Sequence, residues 1–277
     1  MHNQTKYVSK VPNASGERSY TPTEHDIWKK LYKIQENSLS GVACPEYISA
    51  LEEISLPKDR VPQLNDVTKK LTKKTGWGVE GVPALISFER FFGLLAEKKF
   101  PAATFIRKQH DFEYLQEPDI FHEIFGHCPL LMNDVYADFM QKFGELGRNA
   151  SDEDQVMLAR LYWFTVEFGL IQTNKNLQIY GAGIVSSVNE SKYALSSKPK
   201  VVQLDLVNVF RTLYRIDIMQ PIYFVISSLN ELFSLVENPK NVFESIVEAK
   251  SLGPYKPLFD VEDLPNNDLR KKIAQQH

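Results

Sequence analysis

The chain has 277 residues, with 32 lysines and arginines against 35 acids for a formal charge of −3, and is 43% hydrophobic and 24% charged. That balance belongs to a folded, water-soluble protein with a sizeable core; it excludes a disordered chain, and the near-neutral charge argues against nucleic acid as the main partner. The longest uncharged stretch, Asn176 to Asn189, is fourteen residues and includes Gln178, Ser186 and Ser187, too short and too polar for a membrane span of about 20 apolar residues. The first 26 residues carry no apolar signal region, and Cys44 and Cys128, 84 positions apart, offer no disulfide framework. The class indicated is a cytoplasmic enzyme.

Residues 1–20 are polar and read as a flexible arm, leaving 21–277 as a single domain. Thr21-Pro22-Thr23-Glu24 is a helix start, with Thr21 as cap, Pro22 at the first position and Glu24 reaching back. Ile27, Leu31 and Ile34 follow at helical spacing and predict one buried face. Pro45 and Pro62 stand where two short helices could begin. Residues 65–75 form a further helix before Gly76, its four lysines (Lys69, Lys70, Lys73, Lys74) read as a solvated face. Ser87 caps a helix over 88–98, and 102–106 is a short strand. Ser151, with Asp154 three residues on, opens what should be the longest helix, running on through Val156 to Gln172. Strand-like pieces recur at 177–180 and 201–206. Two last helices, 228–237 and 239–250, start at Ser228 with Glu231 and at Asn238-Pro239. No repeat or low-complexity linker divides the chain. The sum is a mainly α fold with a few short antiparallel strands, in one compact domain.

Two of the six histidines lie in Phe121-His122-Glu123-Ile124-Phe125-Gly126-His127-Cys128-Pro129. The spacing is one residue too long for the zinc-protease pattern H-E-x-x-H. On a regular helix five residues turn about 500°, leaving the rings about 140° apart. Gly126 weakens the helix and Pro129 disfavours helical geometry at Cys128, so His127 is expected on an unwinding end, free to swing toward His122. A third ligand should be an acid in apolar surroundings. Glu167 is the only charged residue in the fourteen between Arg160 and Lys175. An unpaired buried carboxylate costs several kcal/mol, so it should meet a cation from elsewhere in the fold. Two neutral imidazoles and one carboxylate would leave about half of an octahedral ion's positions open, as in non-haem iron(II) oxygenases. Zinc hydrolases use the same ligand types, with Glu123 as the general base in that alternative.

At these residues the chain resembles the catalytic domain of the pterin-dependent aromatic amino acid hydroxylases, closest to their bacterial phenylalanine-hydroxylating branch. The shared motifs are Pro118-Asp119 through Pro129-Leu130, Tyr162-Trp163-Phe164-Thr165-Val166-Glu167-Phe168-Gly169, and Tyr180-Gly181-Ala182-Gly183 followed by Ser186-Ser187. Leu115-Gln116, where animal members tend to carry Thr-Pro, marks the bacterial branch. The resemblance implies an iron(II) held by His122, His127 and Glu167. It implies a tetrahydropterin (tetrahydrobiopterin or a relative) stacked on Phe91, with Glu123 and Tyr162 nearby as cofactor-binding and catalytic groups. Arg107, Gly183 and Ser186 would hold the amino acid, and Trp163 would pack beside its ring. The implied activity is that of a non-haem iron monooxygenase converting L-phenylalanine to L-tyrosine with O2 and the pterin. The length leaves no room for the regulatory domain of animal members, so allosteric control through one is not expected.

Residue chemistry agrees with those roles. Arginine suits a bidentate grip on a carboxylate, although Arg107 alone would read as a surface residue. Phe91 also belongs to an ordinary core stripe with Phe88 and Phe92. The Gly181-Ala182-Gly183 turn permits close approach of backbone to a ligand. A third reading takes Gly181 to Ser186 as a G-x-G-x-x-G fingerprint with Asp205 as ribose acid; Ser186 replaces the last glycine and no βαβ series surrounds it.

Overall fold

The computed structural model describes residues 7–83, 86–112, 117–174 and 176–259. Helix α1 (Pro22–Leu39) begins with the expected reciprocal cap: Thr21 Oγ1 accepts from the Glu24 N–H at 3.2 Å and the Glu24 carboxylate from the Thr21 N–H at 2.7 Å. Its buried face differs from the expected one. Ile27 and Leu31 are buried with Trp28, Tyr32, Gln35 and Leu39, while Ile34 is 41% exposed. The large rings of Trp28 and Tyr32 draw the buried stripe round the helix and leave Ile34 on its rim. Helix α2 (Pro45–Ile54) starts at Pro45. Helix α3 (Leu64–Thr75) starts two residues past Pro62, with Gln63 as cap, and stops at Gly76, whose φ of +80° suits glycine. Three of its lysines stay exposed, but Lys70 donates to the carbonyls of Ile54 and Ser55 at 2.9 and 2.8 Å, closing the end of α2.

Strand β1 (Gly78–Val82), helix α4 (Phe88–Ala96) and strand β2 (Lys99–Ala103) form a parallel crossover. The Ser87 hydroxyl caps α4, as expected, whereas β1 was not anticipated and β2 lies earlier than 102–106. Helix α5 (Asp134–Arg148), also unanticipated, is capped by Asn133 and buries Tyr136, Met140 and Phe143. Helix α6 (Asp152–Tyr162) starts on the Ser151 cap but ends long before Gln172. After it come β3 (Leu170–Gln172), β4 (Leu177–Ile179), α7 (Ala182–Val185), α8 (Val188–Ala194), β5 (Lys200–Gln203), α9 (Leu206–Arg211), β6 (Ile222–Ile226), α10 (Leu229–Glu237) and α11 (Pro239–Leu252).

The fold is mainly helical with short strands, as the sequence implies, but the pairing is not the expected set of hairpins. Strands run β4-β3-β6-β5, and among the described residues only β3–β4 is antiparallel; β3–β6, β5–β6 and β1–β2 are parallel. The central β6 is buried at every position and so shows an unbroken apolar run rather than alternation. Residues 7–20, expected as a loose arm, are held down. Tyr7 stacks on Phe105 with centroids 4.8 Å apart, and the Ser9 hydroxyl donates to Val82 O and accepts from the Thr104 N–H. No helix among the described residues is long and apolar enough to cross a membrane.

Candidate metal centre and its cleft

Two π-helical turns build the site. The first, His122–His127, is not an unwinding helix end: Cys128 keeps helical angles (φ −62°, ψ −33°) in spite of Pro129. Hydrogen bonding from i to i+5 widens the turn, so a residue five positions on returns to the same side. The two Nε2 atoms thereby come within 3.1 Å, with the rings nearly perpendicular. Gly126 serves close packing rather than helix weakening, since a Cβ there would stand 3.0 Å from the Ala182 carbonyl oxygen of α7. The second π turn, Trp163–Glu167, continues α6 and closes with the Phe168 N–H on Trp163 O at 2.9 Å. It delivers the Glu167 carboxylate to 3.4 Å from His122 Nε2 and 3.2 Å from His127 Nε2.

The two Nε2 atoms thus stand 3.1 Å apart, and each faces its own oxygen of the Glu167 carboxylate, His127 facing Oε1 at 3.2 Å and His122 facing Oε2 at 3.4 Å. Ligand atoms around one ion held at about 2.1 Å have that mutual spacing, so the donor set fits a shared divalent cation. Ser186 sets the tautomer. Its hydroxyl donates to Ala182 O at 2.7 Å and therefore accepts from His122 Nδ1–H at 2.9 Å, which leaves the lone pair on Nε2. Electrostatics agree. Burial alone would raise the Glu167 carboxyl, but His127 and His122 outweigh it and hold the group well below the usual range. For His122 burial lowers the value and the Glu167 charge wins, raising it; for His127 burial prevails and lowers it. A second acid, Glu123, has an oxygen within 4.8 Å of a ring nitrogen of each histidine. Burial, against the pull of His122 and with the Glu167 charge adding to it, pushes Glu123 up to about 8. With the site empty, Glu167 thus favours its charged form, while burial favours the protonated form of Glu123.

His122 and Glu167 open onto a cleft of about 300 Å³ whose walls include Phe91, Glu123, Tyr162, Trp163 and Tyr214. Phe91 meets Tyr162 edge-to-face at 5.0 Å, and Trp163 stacks on Tyr214 at 4.5 Å. Six of the residues singled out from the sequence therefore share this cavity. His127, 2% exposed, lies beneath it and Ser186 behind His122. Two others have close partners within the protein. Arg107 is buried and makes its bidentate grip on Asp119, through Nε at 2.8 Å and Nη2 at 2.7 Å, not on a group in the cleft. Gly183 makes its close approach to the protein itself: a Cβ there would stand 2.8 Å from the Phe168 ring and 3.1 Å from the Glu167 carbonyl. Leu115-Gln116 lies outside the described residues.

Asp119 is a functional residue the motif contained but sequence reasoning passed over. Besides Arg107 it accepts from the His122 N–H at 3.0 Å, three positions on, the spacing of a helix cap. The nucleotide reading fails on geometry, because Gly181–Ser186 wraps the short α7 behind the metal ligands and Asp205 caps α9 through the Asn208 N–H.

Two histidines and one carboxylate opening on an aromatic cleft define a mononuclear non-haem metal enzyme. The chain belongs to the biopterin-dependent aromatic amino acid hydroxylase family, whose model matches residues 3–251. It is 48% identical over 255 residues to the phenylalanine-4-hydroxylase of Pseudomonas aeruginosa, covering 92% of this chain and 97% of that one. The apo structure of a cold-active phenylalanine hydroxylase from Colwellia psychrerythraea 34H superposes with a TM-score of 0.90 at 46% identity, over 93% of this chain and all of that one. The Chromobacterium violaceum phenylalanine hydroxylase with bound iron(III) and 7,8-dihydrobiopterin matches with a TM-score of 0.83 at 40% identity, over 93% and 91% of the two chains.

Proposed function

We propose that the protein is a cytoplasmic phenylalanine 4-monooxygenase, converting L-phenylalanine to L-tyrosine with ferrous iron, a tetrahydropterin and O2. The observation that carries this reading is the convergence of the His122 and His127 Nε2 atoms on the Glu167 carboxylate at the floor of an aromatic cleft. When bound, the iron and pterin together supply the electrons and the activation that let dioxygen attack an aromatic ring. The chain's own part is placement and exclusion. His122, His127 and Glu167 would hold the ion, and the apolar walls would keep bulk water off the reacting atoms. Phe91 offers a flat face for the pterin. Glu123, protonated near neutrality, has an O–H to donate to a ring acceptor, and Tyr162 keeps its hydroxyl proton because burial raises it. Trp163 forms the wall for the substrate ring. Arg107, held by Asp119 beside the first π turn, is the residue we assign to the substrate carboxylate.

Anaerobic loading with ferrous iron, followed by phenylalanine, a tetrahydropterin and air, should yield tyrosine with matching oxygen uptake. Glu167→Gln, which keeps shape and loses charge, should lower the turnover by at least about a hundredfold. Zinc-supported hydrolysis without oxygen uptake would overturn the reading.

A further inference from the structure

We propose that Gln220 is a positioning residue that locks the Trp163 indole as a rigid wall and so sharpens selection of the phenylalanine ring. The inference rests on the reading that Trp163 flanks the substrate. Gln220 lies 57 positions from Trp163, is 1% exposed and does not line the cleft, yet its Oε1 accepts from Trp163 Nε1–H at 3.0 Å. The orientation of its amide is determined. Nε2 donates to Arg215 O and to Ile218 O, both at 2.9 Å, so both amide hydrogens are used and only Oε1 can face the indole. A flipped amide would set N–H against N–H and forfeit all three bonds.

The anchor is itself anchored. The Gln220 main-chain N–H donates to the Glu190 carboxylate at 3.3 Å, and the buried Tyr223 hydroxyl donates to the same oxygen. The indole is flanked by Tyr214 at 4.5 Å and 18° and by Phe168 at 4.5 Å and 40°. Flanking rings resist tilting but allow sliding and in-plane rotation. A hydrogen bond at one edge removes that freedom. The loop holding Tyr214 is tied by the same amide, through the carbonyl of the next residue, so one side chain fixes both the wall and its stacking partner. A buried amide costs desolvation that an apolar residue of equal size would avoid; what a fully satisfied network adds is a single geometry. A wall of fixed shape discriminates ring sizes better than one that yields.

The test is Gln220→Met, close in volume and without the amide. Steady-state kinetics of the iron- and pterin-loaded enzyme should show KM for phenylalanine rising roughly three- to tenfold, more than kcat moves, with calorimetric Kd following KM. The preference for phenylalanine over tryptophan should fall by a similar factor. In a Trp163→Phe background, which has no indole N–H to hold, the Gln220→Met effect should shrink to the smaller part carried by the Tyr214 loop. Persistence of the full effect there, or no effect in the parent, overturns the proposal. If Trp163→Phe alone leaves phenylalanine binding and ring preference unchanged, Trp163 is not the substrate wall, and the underlying reading and the proposal fall together. Should Gln220→Met not fold, the parent protein still decides: the Trp163 indole N–H, assigned by its loss in Trp163→Phe, should exchange with solvent more slowly than a free indole. Exchange at the free rate overturns the proposal.

Discussion

His122 decides how the metal centre responds to pH. Burial holds His127 neutral, while the Glu167 charge raises His122, so the metal-free protein carries a proton on His122 below that raised value. The proton must leave before Nε2 can donate to an ion. Affinity for ferrous iron therefore falls as pH drops below the raised His122 value and levels off above it. Calorimetry at about pH 6, in buffers of different ionisation enthalpy, should register proton release on binding. Pairing with Glu167, with the charges of Glu123 and Asp119 adding to it, is what makes this one imidazole the sensitive group. The three residues that converge here could be picked out in the sequence because each is chemically out of place: two imidazoles five positions apart beside a glycine, and one carboxylate among thirteen uncharged residues. Asp119 and Gln220 escaped because neither is anomalous in sequence. Only their distant partners, Arg107 and Trp163, give them a role.

Helix periodicity of 3.6 is the ruler applied to sequence, and both ligand-bearing turns depart from it. The five-residue histidine spacing was the visible sign of a π turn, which aligns residues that an α-helix would separate. The second π turn left no such sign, and the helix of α6 was extrapolated through it. Behind Glu167 the backbone is packed so tightly that α7 acts as a stop. Gly181 has φ −62° and ψ 135°, angles any residue adopts, but a Cβ would lie 2.6 Å from Gly169 N and 2.8 Å from the Glu167 carbonyl carbon. Gly181→Ala must therefore push the ligand's own backbone. It should cost about 1–3 kcal/mol in thermal unfolding, the usual penalty of overpacking. Metal titration should show affinity weakened by about tenfold or more, as for other disturbed ligand supports. Unchanged affinity would mean that Glu167 is positioned by something else.

Across the whole molecule, segments far apart in sequence are pinned to the site's flank. The stretch leading into Arg107 is covered by Tyr7, which stacks on Phe105, donates its hydroxyl to Asp111 and accepts from the Lys108 N–H. Tyr7→Ala should lower unfolding stability by about 2–4 kcal/mol in urea titration, the range for losing a buried aromatic and its hydrogen bond. A free arm would leave the midpoint unmoved. By itself the sequence determined the helical character and several helix starts, and it singled out His122, His127 and Glu167, because caps, apolar spacing and misplaced polar groups are local signals. Tertiary structure alone decided the parallel strand pairing, the docking of residues 7–20, the capture of Arg107 by Asp119 and the clamp on Trp163. Those depend on which distant segments can bury surface and satisfy hydrogen bonds together, and that condition is met only when the chain has closed on itself.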